Sequence, residues 1–174
     1  MRRAFTLIEL IIVVMLISLM GFLVFSEAVR ETKKPDAITP LNLKSIIKKE
    51  FPYNEDMEFF CIQNCRDCYI AKGADILPLK GNINLGSNLE VYKIDKNNQL
   101  VKIDNFGRIK DEKICLRYSL YKNGSSTELI LSNDSGVYYL PSYFGKPIKL
   151  DDLDKAKELW LKEDLNLRDS GNYY

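Results

Sequence analysis

The chain of 174 residues contains no histidine. That absence excludes His-based catalytic triads and imidazole metal ligands. An excess of charge of one sign is lacking too. Lys plus Arg number 25 against 24 Asp plus Glu, and setting aside Arg2, Arg3 and Glu9 leaves 23 of each. A nucleic-acid-binding domain therefore has no net electrostatic drive. No nucleophile–base pair and no phosphate-cradling loop is visible, so nothing supports an enzyme and no cofactor is implied. No internal repeat or low-complexity tract is present. The length allows one modest domain after an anchor.

What the chain does have is one long apolar run. From Phe5 to Phe25 almost every residue is apolar, with a single carboxylate at Glu9. As a helix this run would extend roughly 32 Å at ~1.5 Å per residue, against a bilayer core of ~30 Å. A secretory signal has a shorter apolar core and a small-residue cleavage site after it. Here the small residue, Ala4, precedes the run. Arg2 and Arg3 place the N-terminus in the cytoplasm by the positive-inside bias. The reading is a single-pass membrane protein, with residues 1–4 in the cytoplasm, 5–34 a transmembrane helix, and 35–174 a globular domain outside, in the periplasm if the cell has two membranes. A carboxylate inside such a helix costs on the order of 2.5–3.5 kcal/mol, less near a membrane face. Glu9 and Phe5 are four apart and share a helix face. Cleavage after Ala4 would give Phe5 a new α-amine, and a pair between staggered neighbouring helices would satisfy both groups. An uncleaved anchor whose Glu9 snorkels to the interface is the plainer alternative.

The segment Arg2-Arg3-Ala4-Phe5-Thr6-Leu7-Ile8-Glu9-Leu10-Ile11-Ile12-Val13-Val14 resembles the N-terminus of type IV pilins and of the pseudopilins of type II secretion systems. The resemblance covers roughly residues 2–25 and implies a cytoplasmic leader at 1–4, a transmembrane or filament-core helix at 5–34 and, across a bacterial inner membrane, a periplasmic globular domain at 35–174. It implies cleavage by a prepilin peptidase between Ala4 and Phe5, N-methylation of Phe5, and pairing of Glu9 with the Phe5 amine of an adjacent subunit. The implied partners are the peptidase, other pilin or pseudopilin subunits and the inner membrane; no nucleic-acid or small-molecule partner follows. Two departures stand out. Ala4 occupies a position where the family usually has Gly, and no proline interrupts Phe5–Lys34. The implied fold is α+β and pilin-like: a long N-terminal transmembrane helix, then a small antiparallel β-sheet domain with one or two short helices. The implied role is that of a minor pilin or pseudopilin. The alternative is a tip binding module contacting DNA, a surface or secreted cargo.

Beyond the run, Pro35 should end or kink the helix. Thr39-Pro40 reads as a helix start, and Leu43, Ile46, Ile47 and Phe51 make one apolar face of a helix over Pro40–Phe51. From residue 57 the pattern shortens to strands, read as an antiparallel meander. Asp95–Asn98 reads as a hairpin turn and Asn123-Gly124 as another turn. Ile114, Leu116, Tyr118 and Leu120 alternate onto one face. Asp151 or Asp152 caps a last helix with Leu153, Ala156, Leu159 and Trp160 on one side, and residues 165–174 look loose.

Four cysteines lie beyond the helix: Cys61, Cys65, Cys68 and Cys115. An iron–sulfur reading of the Cys-x3-Cys-x2-Cys spacing does not suit an oxidising compartment. Zinc held by four thiolates and a redox-active Cys65–Cys68 pair are alternatives to two structural disulfides. Cys61–Cys68 with Cys65–Cys115 and Cys65–Cys68 with Cys61–Cys115 both remain open. Asp151, Asp152 and Asp154 invite calcium, but acidic residues at a helix N-terminus need no metal, so no metal site is assigned.

Overall fold

The computed structural model describes residues 7–28, 37–51, 55–79, 81–143 and 145–169, with the side chains of 21–28 and 167–169 excepted. The chain divides into two compact units, Met1–Pro35 and Asp36–Tyr174.

In the first unit, Leu7–Ala28 forms a helix, α1. Among the described residues no helix is long and apolar enough to cross a membrane. The expected long transmembrane helix, and with it the single-pass inner-membrane placement, is corrected on that finding. The chain is instead mostly antiparallel β-structure, in three sheets among the described residues.

The second unit begins with a short helix, α2 (Leu43–Glu50), and then passes through β1 (Met57–Ile62), β2 (Asp67–Lys72) and β3 (Asp75–Pro78). Next come β4 (Glu90–Ile94), β5 (Leu100–Lys102), β6 (Arg108–Ile109), β7 (Glu112–Lys113) and β8 (Leu116–Leu120). β9 (Leu129–Asn133), β10 (Gly136–Leu140), β11 (Ile148–Leu150) and α3 (Leu153–Asp169) complete it. One sheet has the order β3-β2-β1-β8, a second β11-β10-β9-β4-β5, and β6-β7 form a two-stranded ribbon. The expected meander is therefore corrected. β8 returns to pair with β1, and β9 with β4, so both large sheets close through pairings remote in sequence.

Alternation explains which faces meet. In β8, Leu116, Tyr118 and Leu120 are buried while Arg117 and Ser119 are half-exposed. These three join Phe59, Ile70, Leu129, Leu131 and Leu140, together with Leu43 and Ile47 of α2, in the main core. Leu43 and Ile47 lie four apart and so share one helix face. Both are fully buried, and each such side chain contributes roughly 1.5–3 kcal/mol. The second sheet is covered on both faces. Leu129, Leu131, Tyr138 and Leu140 point to the main core, whereas Ile130, Val137 and Tyr139 pack with Ala156 and Trp160 of α3. Burial on both sides is why Leu129-Ile130-Leu131 and Val137-Tyr138-Tyr139-Leu140 read as unbroken apolar runs.

Three local expectations change. α2 starts at Leu43 rather than Pro40, because residues 40–42 form a turn in which the Thr39 amide donates to Asn42 Oδ1 at 2.7 Å. Ile114 does not share the face of Leu116. It packs with Phe60 and Ile62 in a separate cluster, since regular pairing stops at Lys113 and resumes at Leu116. The C-terminal residues expected to be loose continue α3 as far as Asp169. Asp152 caps that helix: its Oδ1 accepts the Lys155 amide at 2.8 Å. Lys155 also donates to Asp151 Oδ2 at 2.6 Å.

Candidate functional site

Ala4 and Phe5, the expected processing and methylation residues, lie outside the described residues, as does Pro35. Glu9 is described and stands in the first turn of α1. Around it the helix is apolar on every side. The large apolar side chains from Leu7 to Met20 range from 46% exposed at Val13 to 77% at Leu7. A surface helix of a globular domain carries one apolar stripe; over the described side chains, Leu7–Met20, α1 turns no continuous polar face to water. Ser18 satisfies its hydroxyl on the helix itself, donating to the Val14 carbonyl at 2.8 Å.

The four cysteines form two disulfides, Cys61–Cys68 and Cys65–Cys115, and no cysteine of the chain is free. Cys61 and Cys68 sit directly opposite each other in the β1–β2 register. The connection between those strands holds Gln63, Asn64 and Cys65 at φ of 51, 55 and 62°. This left-handed backbone carries Cys65 to Cys115. The Cys115 amide donates to the Cys61 carbonyl at 2.9 Å, so both bonds lie at one end of β1. The zinc and redox-pair alternatives are corrected, because no thiol remains for either. Among the described residues no group of three potential ligands gathers at a metal site, and Asp151 and Asp152 are engaged at the start of α3.

Beside the Cys65–Cys115 bond lies a cleft of about 870 Å³. One wall is Asn64, Cys65 and Arg66; another is the segment from Gly81 to Leu89; Asp134 and Ser135 close a third side. The long segment is held at both ends. Ile38 donates to the Asn82 carbonyl at 2.8 Å and accepts from the Asn84 amide at 2.8 Å. The β9–β10 turn grips the other end: Asn133 donates to the Leu85 carbonyl at 2.6 Å, and the Ser87 amide donates to Asp134 Oδ1 at 2.9 Å. Gly86 sits at φ +84° with the Asn133 side chain packed where a Cβ would stand. A position that crowded in left-handed backbone requires glycine.

Comparison of the chain with known protein families, characterised proteins and solved structures finds no match.

The cleft is not anticipated from the sequence. A signal was nevertheless present: Asn82-Ile83-Asn84-Leu85 alternates polar and apolar residues between Gly81 and Gly86, the mark of a short half-buried extended segment.

Two polar networks lie elsewhere in the second unit. Glu90 accepts from Tyr92 Oη and Lys102 Nζ, each at 2.6 Å. The Lys102 bond, then the Tyr92 bond, holds the Glu90 carboxyl below its usual range. Near α3, Tyr139 donates to Glu128. Burial pushes the Glu128 carboxyl up, against the opposing pull of the Tyr139 bond. Burial, and then the Glu128 bond, likewise raises the Tyr139 phenol.

Proposed function

We propose that the chain is a prepilin-like subunit, cleaved ahead of Phe5 and assembled through α1 into a filament of the type II secretion or type IV pilus class. The observation that carries this is the exposure of apolar side chains all around Leu7–Met20. Such a helix gains only when other apolar surface covers it, at about 25 cal/mol per Å². A bundle of identical or related helices supplies that cover on every side at once. Glu9, in the first turn, then sits where the amine of a neighbour's Phe5 would meet it, and a charge-assisted hydrogen bond forms in apolar surroundings. A second reading, a binding module at a filament tip, draws on the cleft beside Cys65–Cys115.

Intact-mass measurement of the native chain tests the processing step. Loss of Met1–Ala4 with one added methyl is expected; a chain that keeps Met1–Ala4 unmodified refutes it. Assembly is tested by Glu9→Gln, which should abolish cross-linking of neighbouring subunits while leaving the amount of chain unchanged.

A further inference from the structure

The segment Gly81–Leu85 is bonded to Ile38 along one edge, and on the other edge the Leu85 carbonyl accepts from Asn133. Ile38 and Ile83 form an isolated parallel bridge, with Asn82 and Asn84 supplying the backbone groups that meet Ile38. In extended backbone, successive residues direct their N–H and C=O groups to opposite edges. The N–H and C=O of Ile83 therefore point away from Ile38. Among the described residues neither group takes a hydrogen bond. Ile83 lines the cleft and Ile38 does not, so the open edge is the cleft edge. The side chains follow the same alternation. Ile83 packs on the main core, which leaves Asn82 and Asn84 exposed on the opposite face. The side-chain amides of Asn64, Asn82, Asn84 and Asn88 make no hydrogen bond among the described residues.

We propose that this cleft receives an extended polypeptide segment of a partner protein, added as a strand along the Ile83 edge and flanked by the amide side chains of Asn64, Asn82, Asn84 and Asn88. Strand addition supplies main-chain hydrogen bonds to the part of the edge left open at Ile83. Each amide side chain both donates and accepts, which suits a peptide backbone that does the same. The lining carries one charge of each sign, Arg66 and Asp134. An anionic polymer such as DNA needs an excess of cations, which this cleft lacks. No aromatic side chain lines it, so the C–H faces of sugar rings find no stacking surface. The part of the Ile83 edge ahead of Leu85, residues 81–84, extends about 13 Å at ~3.3 Å per residue, which gives the cleft room for a short bound strand centred on Ile83. Its walls are set before binding by the Cys65–Cys115 bond and by the Asn133 and Asp134 bonds, so little ordering is required of the protein when a ligand arrives. This inference deepens the second reading, which draws on the same cleft, and does not require assembly of a filament.

The test uses the full chain, ¹⁵N-labelled and held in mild detergent on account of α1. The probe is the uncharged hexapeptide acetyl-Thr-Val-Ser-Val-Thr-Gln-amide. Controls are the same peptide N-methylated at alternate residues, maltohexaose and a thymidine hexanucleotide. Saturable shifts of the Ile83 amide and the asparagine side-chain amides with the plain peptide, weakened at least tenfold by N-methylation, are expected. The double variant Asn82→Ala/Asn84→Ala should weaken the peptide about fivefold with an unchanged urea midpoint, because both side chains are exposed. Three results overturn the proposal: no saturation by the peptide at millimolar concentration, equal binding of the N-methylated form, or saturation by the sugar or the oligonucleotide in its place.

Discussion

Cutting the Cys65–Cys115 bond is the most informative single perturbation of the second unit. It closes a separation of 50 residues, whereas Cys61–Cys68 closes 7. In the loop-entropy treatment these are worth roughly 4 and roughly 2 kcal/mol. Two further effects shift those values. Releasing Cys65 lets Gln63, Asn64 and Cys65 leave their left-handed backbone, and recovering part of the cost of that conformation offsets about 1 kcal/mol. Cys61 and Cys68 are 0% and 3% exposed, so alanine at both leaves a small cavity that adds about 1 kcal/mol. The totals for Cys65→Ala/Cys115→Ala and Cys61→Ala/Cys68→Ala therefore converge near ~3 kcal/mol. Stability alone does not separate the two bonds, but the urea m-value does, because it follows the surface exposed on unfolding. Freeing the long loop should raise m, and freeing the short one should leave it unchanged. Equal m-values for the two double variants, or a loss below about 1 kcal/mol for the long-range pair, would refute the reasoning, since the cross-link then does not restrain the unfolded chain.

Other outcomes follow from the same contacts. Gly86→Ala should cost about 2 kcal/mol in urea unfolding, since it places a Cβ against the Asn133 side chain in left-handed backbone; backbone exchange at residues 85–87 should rise with it. Trp160→Ala removes a side chain 7% exposed, whose ring lies 6.1 Å from that of Tyr139, and should cost roughly 3–5 kcal/mol. Trp160 is the only tryptophan, so in the unaltered chain its fluorescence reports the docking of α3 directly. Glu128 titrates above the reference value of 4.5 because it is buried. The folded chain thus holds that proton where the unfolded chain has released it. The resulting stabilisation is complete below the unfolded value and is lost as pH rises through the folded one. Tyr139→Phe removes the donor that opposes this shift, so the Glu128 carboxyl should titrate higher still by ¹³C NMR; an unchanged titration would show that the phenol does not reach it.

Local pattern made several elements readable in advance. Leu153, Ala156, Leu159 and Trp160 carry the period of a helix face, and in α3 that face lies on the second sheet. Asp95–Asn98 reads as a turn, and it joins β4 to β5. Such features depend on neighbours within about one helical turn or one hairpin, where sequence spacing and distance in space coincide. The span assigned to the N-terminal helix failed differently. An apolar run of that length reads as a membrane span, and among the described residues no helix is long and apolar enough to cross one.

The chain by itself determined that histidine chemistry is absent, that one segment is apolar all round, and that four cysteines could pair. Tertiary structure decided which cysteines meet, because a left-handed turn of three residues carries Cys65 away from its near neighbours to Cys115. It also decided the strand order, since β1 with β8 and β4 with β9 are joined by hydrogen bonds between residues far apart in sequence. The cleft arises the same way. Its walls come from three separate loops, and only the folding of both sheets brings them face to face.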